Sequence, residues 1–560
     1  MKIKTKLMPL ALLALSPCLL AQQAPQIPGA GTQLNQLPPQ EPPQRAEPQI
    51  RIEKATSPAM AGAPSVSVLV NDLQFTGAHV YTTAELLTIT RFTPGSQLTL
   101  SELQAMASRI TEHYRSKGYF VARAYIPAQD ISIHVVTIAV VEGNYGSVTL
   151  RNQTNLSNGL AQDVLKGLDS GDVITIEPLE HRLLLLQDFP GVKVKSTLVP
   201  GSMPGTTDLI VDLDPGRRVN GSVDVDNGGN PYTGAIRFGA TVNINELAGR
   251  GDVLSFRGVT SGSGLNYGRV AYQMRFGPAT AGVAYSRLEY ELGKQFKVLG
   301  AHGTATVASV FGSVPLKRSR DSNLYVGASY DDKNFDDRMD LFPSANRLAH
   351  DGVGSVFLYG NRNDHFGGGG TSSFFVSLSA GNFDIRTPSA RAADAASART
   401  QGGWGKLWFN VSRAQRLTDA WSLYASVTGQ LASKNLDSSE QFILGGMDGV
   451  RAYPQGEAYG DEGILVDLEA RLLLQGLSNH VPGQVHLLGF VDAGHVTINK
   501  DPWFPGNNSR NLSSAGVGVL WDDPGDFAVR AYYAVKLGNE DAISAPDRSG
   551  RFWIQAIKYF

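Results

Sequence analysis

Reactive chemistry needs side chains of the right type at fixed spacing, and this sequence offers few. Its 10 histidines show no metal-ligand spacing and no His-Glu-x-x-His. No Gly-x-Ser-x-Gly elbow is present. Residues 367–370 are glycines without the Gly-Lys-Ser/Thr of a phosphate loop, so they read as a flexible turn. No catalytic residue, metal site or cofactor is nominated. One stretch stands apart: Gly445-Gly446-Met447-Asp448-Gly449-Val450-Arg451-Ala452-Tyr453-Pro454-Gln455-Gly456-Glu457. It is turn-rich, lies between two strand-like runs, and holds one arginine and one tyrosine among glycines. Further on, Phe490-Val491-Asp492-Ala493-Gly494 carries a lone carboxylate in an apolar strand. Over residues 485–494, Val485, Leu487, Gly489, Val491 and Ala493 alternate with a set that includes His486 and Asp492. Period two therefore puts Asp492 on the face opposite the apolar one. Arg451 and Asp492 could form a charge-assisted pair, with bidentate geometry open to it. The competing reading is an exposed loop with an unpaired arginine.

Elements must exist to bring these residues together. At 560 residues the chain is too long for one ordinary domain, and a net charge of −2 gives no reason to expect a nucleic-acid partner. Lys2, Lys4 and Lys6 precede an apolar run over residues 7–20, too short for a membrane helix, and Ala21 offers a small residue at a cut before Gln22. Residues 1–21 read as a signal peptide. Cys18 is the sole cysteine and lies inside it; Leu15-Ser16-Pro17-Cys18 faintly resembles a lipoprotein cleavage box, with Pro17 a poor fit. Without Cys18 the chain has neither disulfides nor thiol chemistry. No later apolar run approaches the about 18 residues of a membrane helix. Either the protein is soluble after export, or it crosses a membrane as a barrel, the other structure that satisfies its own backbone in lipid.

Residues 22–64 are rich in Pro, Gln and Ala and read as a linker. Pro38-Pro39 and Pro42-Pro43 would break any helix or strand there, and only residues 32–37 are helix-compatible. Residues 65–143 read as a small α+β unit: strand 66–75, helix 82–90, a helix opened by the capping box Thr99-Leu100-Ser101-Glu102 and ended by Gly118, then strands 119–126 and 131–141. Residues 144–215 repeat that order, with strand 147–150, helices 160–165 and 177–187, and strands 192–198 and 207–213. From 216 to 560 the helical signal disappears. About 16 alternating segments remain, as where Ile464, Val466, Leu468, Ala470 and Leu472 alternate with Leu465, Asp467, Glu469 and Arg471. Short connections at 277–278, 315–318 and 522–525 alternate with long ones at 331–346, 384–402, 499–510 and 539–550. This asymmetry fits an outer-membrane barrel, and an even strand number returns both barrel ends to the periplasm, where the N-terminal units must be.

Several motifs carry a family resemblance. Ser116-Lys117-Gly118-Tyr119, the run from Tyr125 to Asp130, and Val141-Glu142-Gly143 resemble the first POTRA domain of two-partner secretion transporters. The run from Leu183 to Val192, with Leu198-Val199-Pro200-Gly201, resembles their second. Val450-Arg451-Ala452-Tyr453 resembles the Val-Arg-Gly-Tyr motif of the superfamily that also contains outer-membrane assembly factors, and Phe490-Val491-Asp492-Ala493-Gly494 resembles its second barrel motif. Ala452 replaces the family glycine and would be strained if that position needs positive φ. Residues 243–252 resemble an early barrel turn of the family, and Arg250-Gly251-Asp252 within them is also an integrin-type tripeptide that arises easily by chance. Phe560 after an aromatic last strand resembles the barrel assembly signal, with Lys558 off its pattern.

The chain thus resembles outer-membrane transporters of the TpsB type, the haemolysin activator/filamentous haemagglutinin transporter family. The resemblance implies an all-β 16-stranded transmembrane barrel behind two periplasmic POTRA domains, and a plug helix within the linker. It implies a lumenal loop in which Val450, Arg451 and Tyr453 meet Asp492. It implies a pore that recognises a secreted exoprotein by its N-terminal secretion domain, is no enzyme, sits in outer-membrane lipid, and meets the barrel assembly machinery during biogenesis. β-Augmentation is a sensible capture mode, with Tyr125, Leu185, Phe189 and Val194 as contact residues. The alternative is an assembly or insertion factor of the same superfamily. A passive porin has no need of periplasmic domains, and an outer-membrane hydrolase has no nucleophile here.

Overall fold

A strand that alternates apolar and polar residues hides one face, and closing such strands into a ring leaves no unpaired edge. In the computed structural model, which describes residues 27–38, 49–52, 67–131 and 133–560, sixteen antiparallel strands close into a barrel. Residues 1–21, read as a signal peptide and including Cys18, lie outside the described residues. The ring runs from Val219–Asp226 to Gly550–Tyr559, and these two strands pair from Ser222↔Tyr559 to Asp226↔Gln555. Along the twelfth strand, Glu462–Leu473, Ile464 and Leu468 are exposed on the outer face while Leu465 and Glu469 are buried inside.

The barrel departs from expectation in its connections. The sixth, seventh and eighth strands, Ala301–Arg318, Ser322–Met339 and Arg347–Asp364, are each 18 residues long. At about 3.4 Å per residue they far exceed an apolar band of about 25 Å, so they project beyond it. The expected loop at 331–346 therefore shrinks to 340–346. The expected turn at 315–318 is strand, with a register shift between Pro315 and Lys317; the turn is at 319–321. Pro315 sits at a bulge, where its missing N–H interrupts the ladder least. Helix also persists after residue 216, for the loop at 386–401 holds an α-helix over Pro388–Ala395.

Before the barrel come helix α1 (Ala30–Asn35) and strand β1 (Gln49–Ile52). The helix begins two residues earlier than expected. The strand was not expected at all: the Pro-Pro pairs end at Pro43, but Pro48 directly precedes its first residue, Gln49. The first α+β unit contains β2 (Ser67–Val70), β3 (Asp72–Thr76), α2 (Thr83–Thr90), β4 (Ser96–Thr99), α3 (Leu100–Ser116), β5 (Arg123–Tyr125) and β6 (Val135–Val141). Its sheet order is β3-β6-β5, and β2 pairs with β4. The single strand expected at 66–75 is broken at Asn71. The strand expected at 119–126 is reduced to β5, because Tyr119 and Ala122 close turns onto Tyr114 and Tyr119. Thr99 and Glu102 form the capping box of α3, which buries Leu103, Met106, Ala107, Ile110 and Tyr114 along one stripe.

The second unit contains β7 (Asn144–Asn152), α4 (Asn158–Leu165), α5 (Ile176–Gln187), β8 (Val192–Pro200) and β9 (Thr206–Pro215). β1 joins its sheet, in the order β1-β8-β9-β7, pairing parallel with β8 from Gln49↔Lys195 to Ile52↔Leu198.

Candidate functional site

Residues 433–461 connect the eleventh strand, Trp421–Ala432, to the twelfth at the barrel end far from the α+β units. The segment folds inward as a hairpin: Phe442–Ile443 pairs with Tyr459–Gly460, and Leu444 and Gly445 donate to Ala458 and Glu457. Val450 N–H donates back to the Leu444 carbonyl at 2.7 Å, closing a tight tip. Arg451 leaves that tip toward the thirteenth strand, Gln484–Thr497.

There Asp492 is fully buried and Arg451 is 4% exposed. The guanidinium donates from Nε to Oδ2 at 3.0 Å and from Nη2 to Oδ1 at 2.6 Å, a bidentate fork. Arg451 N–H also donates to Asp492 Oδ2 at 3.0 Å, and Ser514 Oγ adds a bond at 2.7 Å. The remaining arm, Nη1, reaches Glu469 Oε1 at 2.7 Å, and the other Glu469 oxygen takes Arg471. The guanidinium lies 3.5 Å from the Phe490 ring centroid and 5.0 Å from that of Tyr532. Trp553 Nε1 donates to the Arg451 carbonyl at 2.6 Å, tying the tip to the last strand. Removing one partner of such a buried charge cluster costs about 3–5 kcal/mol. The arrangement holds a loop in place; it presents no nucleophile or proton-transfer pair to a cavity.

Sequence reasoning brought Arg451 to Asp492 but passed over several neighbours. Glu469 shares its strand with other inward polar residues, so alternation cannot single it out. Glu457 is fully buried; it pairs with Arg510 and accepts from the N–H groups of Ile543 and Ser544 at 3.1 Å and 2.9 Å. Tyr453 donates to the Glu540 carbonyl at 3.0 Å. These contacts staple the loop to the last loop of the same end, and contacts between loops have no period to read. Ala452 is buried without positive φ; the strained alanine is Ala458, at φ 55°.

Beside this loop, α1 fills part of the lumen. Ala30 N–H donates to Asp337 at 2.7 Å, Thr233 to Gln33 at 2.9 Å, and Arg237 to the Gln36 carbonyl at 2.7 Å. Asn35 donates to the Ser438 and Gln441 carbonyls of the inward loop, and Gln36 bonds Tyr459. Helix and loop thus hold one another.

Of the residues nominated for partner contact, Tyr125 is 41% exposed on the β5 edge, but Leu185, Phe189 and Val194 are buried. Leu185 and Val194 belong to the core of the second unit. Phe189 packs at its junction with the barrel, where the Arg275 guanidinium lies 5.0 Å from its ring and a Cβ on Gly251 would strike that ring. Adjacent Asp188 takes a bidentate pair from Arg318 at 3.0 Å for each bond. Leu185 belongs to the leucine-rich run of α5, where sequence cannot separate a docking face from a core face. Asp252 is wholly buried in that junction turn, so Arg250-Gly251-Asp252 is not a displayed tripeptide. Phe560 exchanges backbone bonds of 3.1 Å with Gly221 and leaves its ring half-exposed on the barrel exterior.

A family profile described as haemolysin secretion/activation protein ShlB/FhaC/HecB matches residues 205–520, and a POTRA domain of ShlB type matches residues 68–143. The heme/hemopexin transporter protein HuxB of Haemophilus influenzae is 30% identical over 490 residues, 85% of this chain and 84% of that protein. The outer membrane transporter CdiB of Dickeya dadantii is 24% identical over 447 residues, 75% of this chain and 74% of its own. The solved structure of CdiB from Escherichia coli shares the fold, with a TM-score of 0.65 at 20% identity, covering 90% of this chain and 93% of that one.

Proposed function

The chain belongs to the family described as haemolysin secretion/activation protein ShlB/FhaC/HecB, and from that membership we propose how its pore is worked. It is an outer-membrane transporter of two-partner secretion: a sixteen-stranded barrel with POTRA units in the periplasm, exporting a partner exoprotein. In our reading the lumen is gated by two removable segments, α1 and the inward sixth extracellular loop. The observation that carries this is the clamp of Arg451 on Asp492 and Glu469 beside a helix that is no part of the wall. An extended polypeptide can pass only if both segments yield. We assign Arg451 and its partners to holding and releasing the loop, and no enzymatic activity to the chain.

The exoprotein enters through an N-terminal secretion domain that adds a strand to a POTRA sheet edge. The β5 edge with Tyr125 is one such edge. The β8 edge already carries β1, so cargo that pairs there displaces the transporter's own linker. Leu185, Phe189 and Val194 act through packing rather than contact. Folding of the cargo outside gives export its direction. Lipid covers the outward apolar face, and the Phe560 ring is the feature we assign to recognition by the assembly machinery. The relative named as a heme/hemopexin transporter makes a haem- or hemopexin-handling exoprotein the first cargo to try.

The test is co-expression with a large candidate exoprotein and assay of the medium. Wild type should release it to the medium, and Arg451→Ala should cut release while the barrel still assembles. Equal release from the variant removes the clamp role; release without this chain removes the pore reading.

A further inference from the structure

The lumen wall carries a row of aromatic rings that leads away from the clamp and the plug. The inward faces of four neighbouring strands bear Tyr325, Phe357 with Tyr359, Phe375, and Trp408. Register places them side by side: Tyr325 faces Tyr359, Tyr359 faces Phe375, and Trp408 faces Ser377, two residues along from Phe375. The rings of Tyr325 and Tyr359 stack with centroids 4.9 Å apart, those of Phe357 and Phe375 at 5.8 Å, and Phe375 meets Trp408 edge-on at 5.6 Å. The Phe357 ring lies so flat on the wall that a Cβ on Gly327 would collide with it. All five side chains are half-buried. Large rings with unfilled contact area on a water-facing wall are costly without a use.

The position of the patch indicates its occupant. Tyr325 and Tyr359 lie close to the periplasmic turns at 319–321 and 365–369. Further along the same inward columns, Val353, Phe383 and Trp404 belong to the apolar cluster on which α1 is seated. Val353 is four residues from Phe357, about 13 Å along the strand. Trp408 packs against the apolar cluster of the inward loop. The wall that already binds one polypeptide segment through apolar contacts therefore continues, as stacked half-buried rings, to the periplasmic mouth.

We propose that Tyr325, Phe357, Tyr359, Phe375 and Trp408 form a contact track for the apolar and aromatic side chains of the polypeptide in transit. This rests on the pore reading above. Stacking onto rings tolerates many sequences and demands no fixed backbone geometry, which suits an unfolded cargo. The track would receive the chain at the mouth and pass it to the seat that α1 vacates.

The probe is an unstructured Gly/Ser polypeptide bearing phenylalanine at regular intervals, with an all-Gly/Ser counterpart, applied from the periplasmic side to the full chain in a planar bilayer. Blockades of the open-state current should last about two- to tenfold longer for the phenylalanine peptide, from one engaged ring pair. The paired change Phe357→Ser/Phe375→Ser should abolish that difference. Phe357→Leu/Phe375→Leu, which keeps the wall apolar should the serine variant not fold, should shorten the phenylalanine dwell toward the control. Equal dwell of both peptides on wild type, or an undiminished difference in the leucine variant, overturns the track. If neither peptide blocks the current, the pore reading falls and the track with it.

Discussion

Arg451 is held by two carboxylates, two rings and its own backbone, and lysine could satisfy only part of that. Both Arg451→Ala and Arg451→Lys should undock the loop tip, since taking one partner out of a buried charge pair costs about 3–5 kcal/mol. Amide exchange over residues 446–452 is expected to rise strongly in the first variant and less in the second; unchanged exchange in Arg451→Ala would remove the clamp. Ala458 gives an opposite prediction. Its left-handed backbone costs an alanine about 1–2 kcal/mol, of which a glycine forfeits about 0.4–1 kcal/mol through its freer unfolded chain. Ala458→Gly should therefore slow exchange at the hairpin base, and faster exchange would contradict it. At this scale the Arg451–Asp492 pair was legible from the two motifs that resemble the family's, with Asp492 on the inward parity of its strand. Glu457 with Arg510 was not legible, since Glu457 lies in a loop without periodicity and Arg510 at the start of a strand, Ser509–Asp523, within the stretch 499–510 that reads as a loop.

The same division runs through the elements. The α3 cap was plain in Thr99-Leu100-Ser101-Glu102, and Thr99 N–H donates to Glu102 Oε2 at 2.7 Å. That bond, then the Thr99 hydroxyl, holds the Glu102 carboxyl below its ordinary value of 4.5. A lowered folded value means the contribution is present above pH 4.5 and fades as pH falls below it. The stability gap between wild type and Glu102→Gln, read from chemical unfolding of the periplasmic region in the full chain, should narrow on acidification below pH 4.5. A gap independent of pH would contradict the assignment. Strand β1 was missed because the alternation of Gln49-Ile50-Arg51-Ile52 is only four residues long and follows a proline-rich run; it exists through its neighbour β8. The strands that overshoot the membrane were read as loops because their outer ends are polar on both faces, as in Asp331-Asp332 and Asp336-Asp337. The helix at Pro388–Ala395 was missed for want of an apolar stripe; none of its residues is buried.

For the whole molecule, strand number, alternating loop lengths and paired α+β units were enough to reach the architecture, while the joints between parts were not readable. The junction of the second POTRA unit with the barrel depends on Asp188 with Arg318 and on Phe189 beneath Arg275, residues more than 80 positions apart. Asp188→Asn should loosen it. A spin-label distance between that unit and the barrel should broaden, and an unchanged distribution would mean that the apolar packing alone holds the joint. In the proposed gating, α1 must leave its seat for cargo to pass. A Cβ on Gly31 would lie 2.7 Å from Ser439 Cβ, where a disulfide needs about 3.8 Å, so a slide of about 1 Å would admit one. The most direct measurement is exoprotein release by Gly31→Cys/Ser439→Cys, with and without reductant. Release should stop when the bridge forms and return on reduction; full release with the bridge closed would mean that cargo passes with α1 seated.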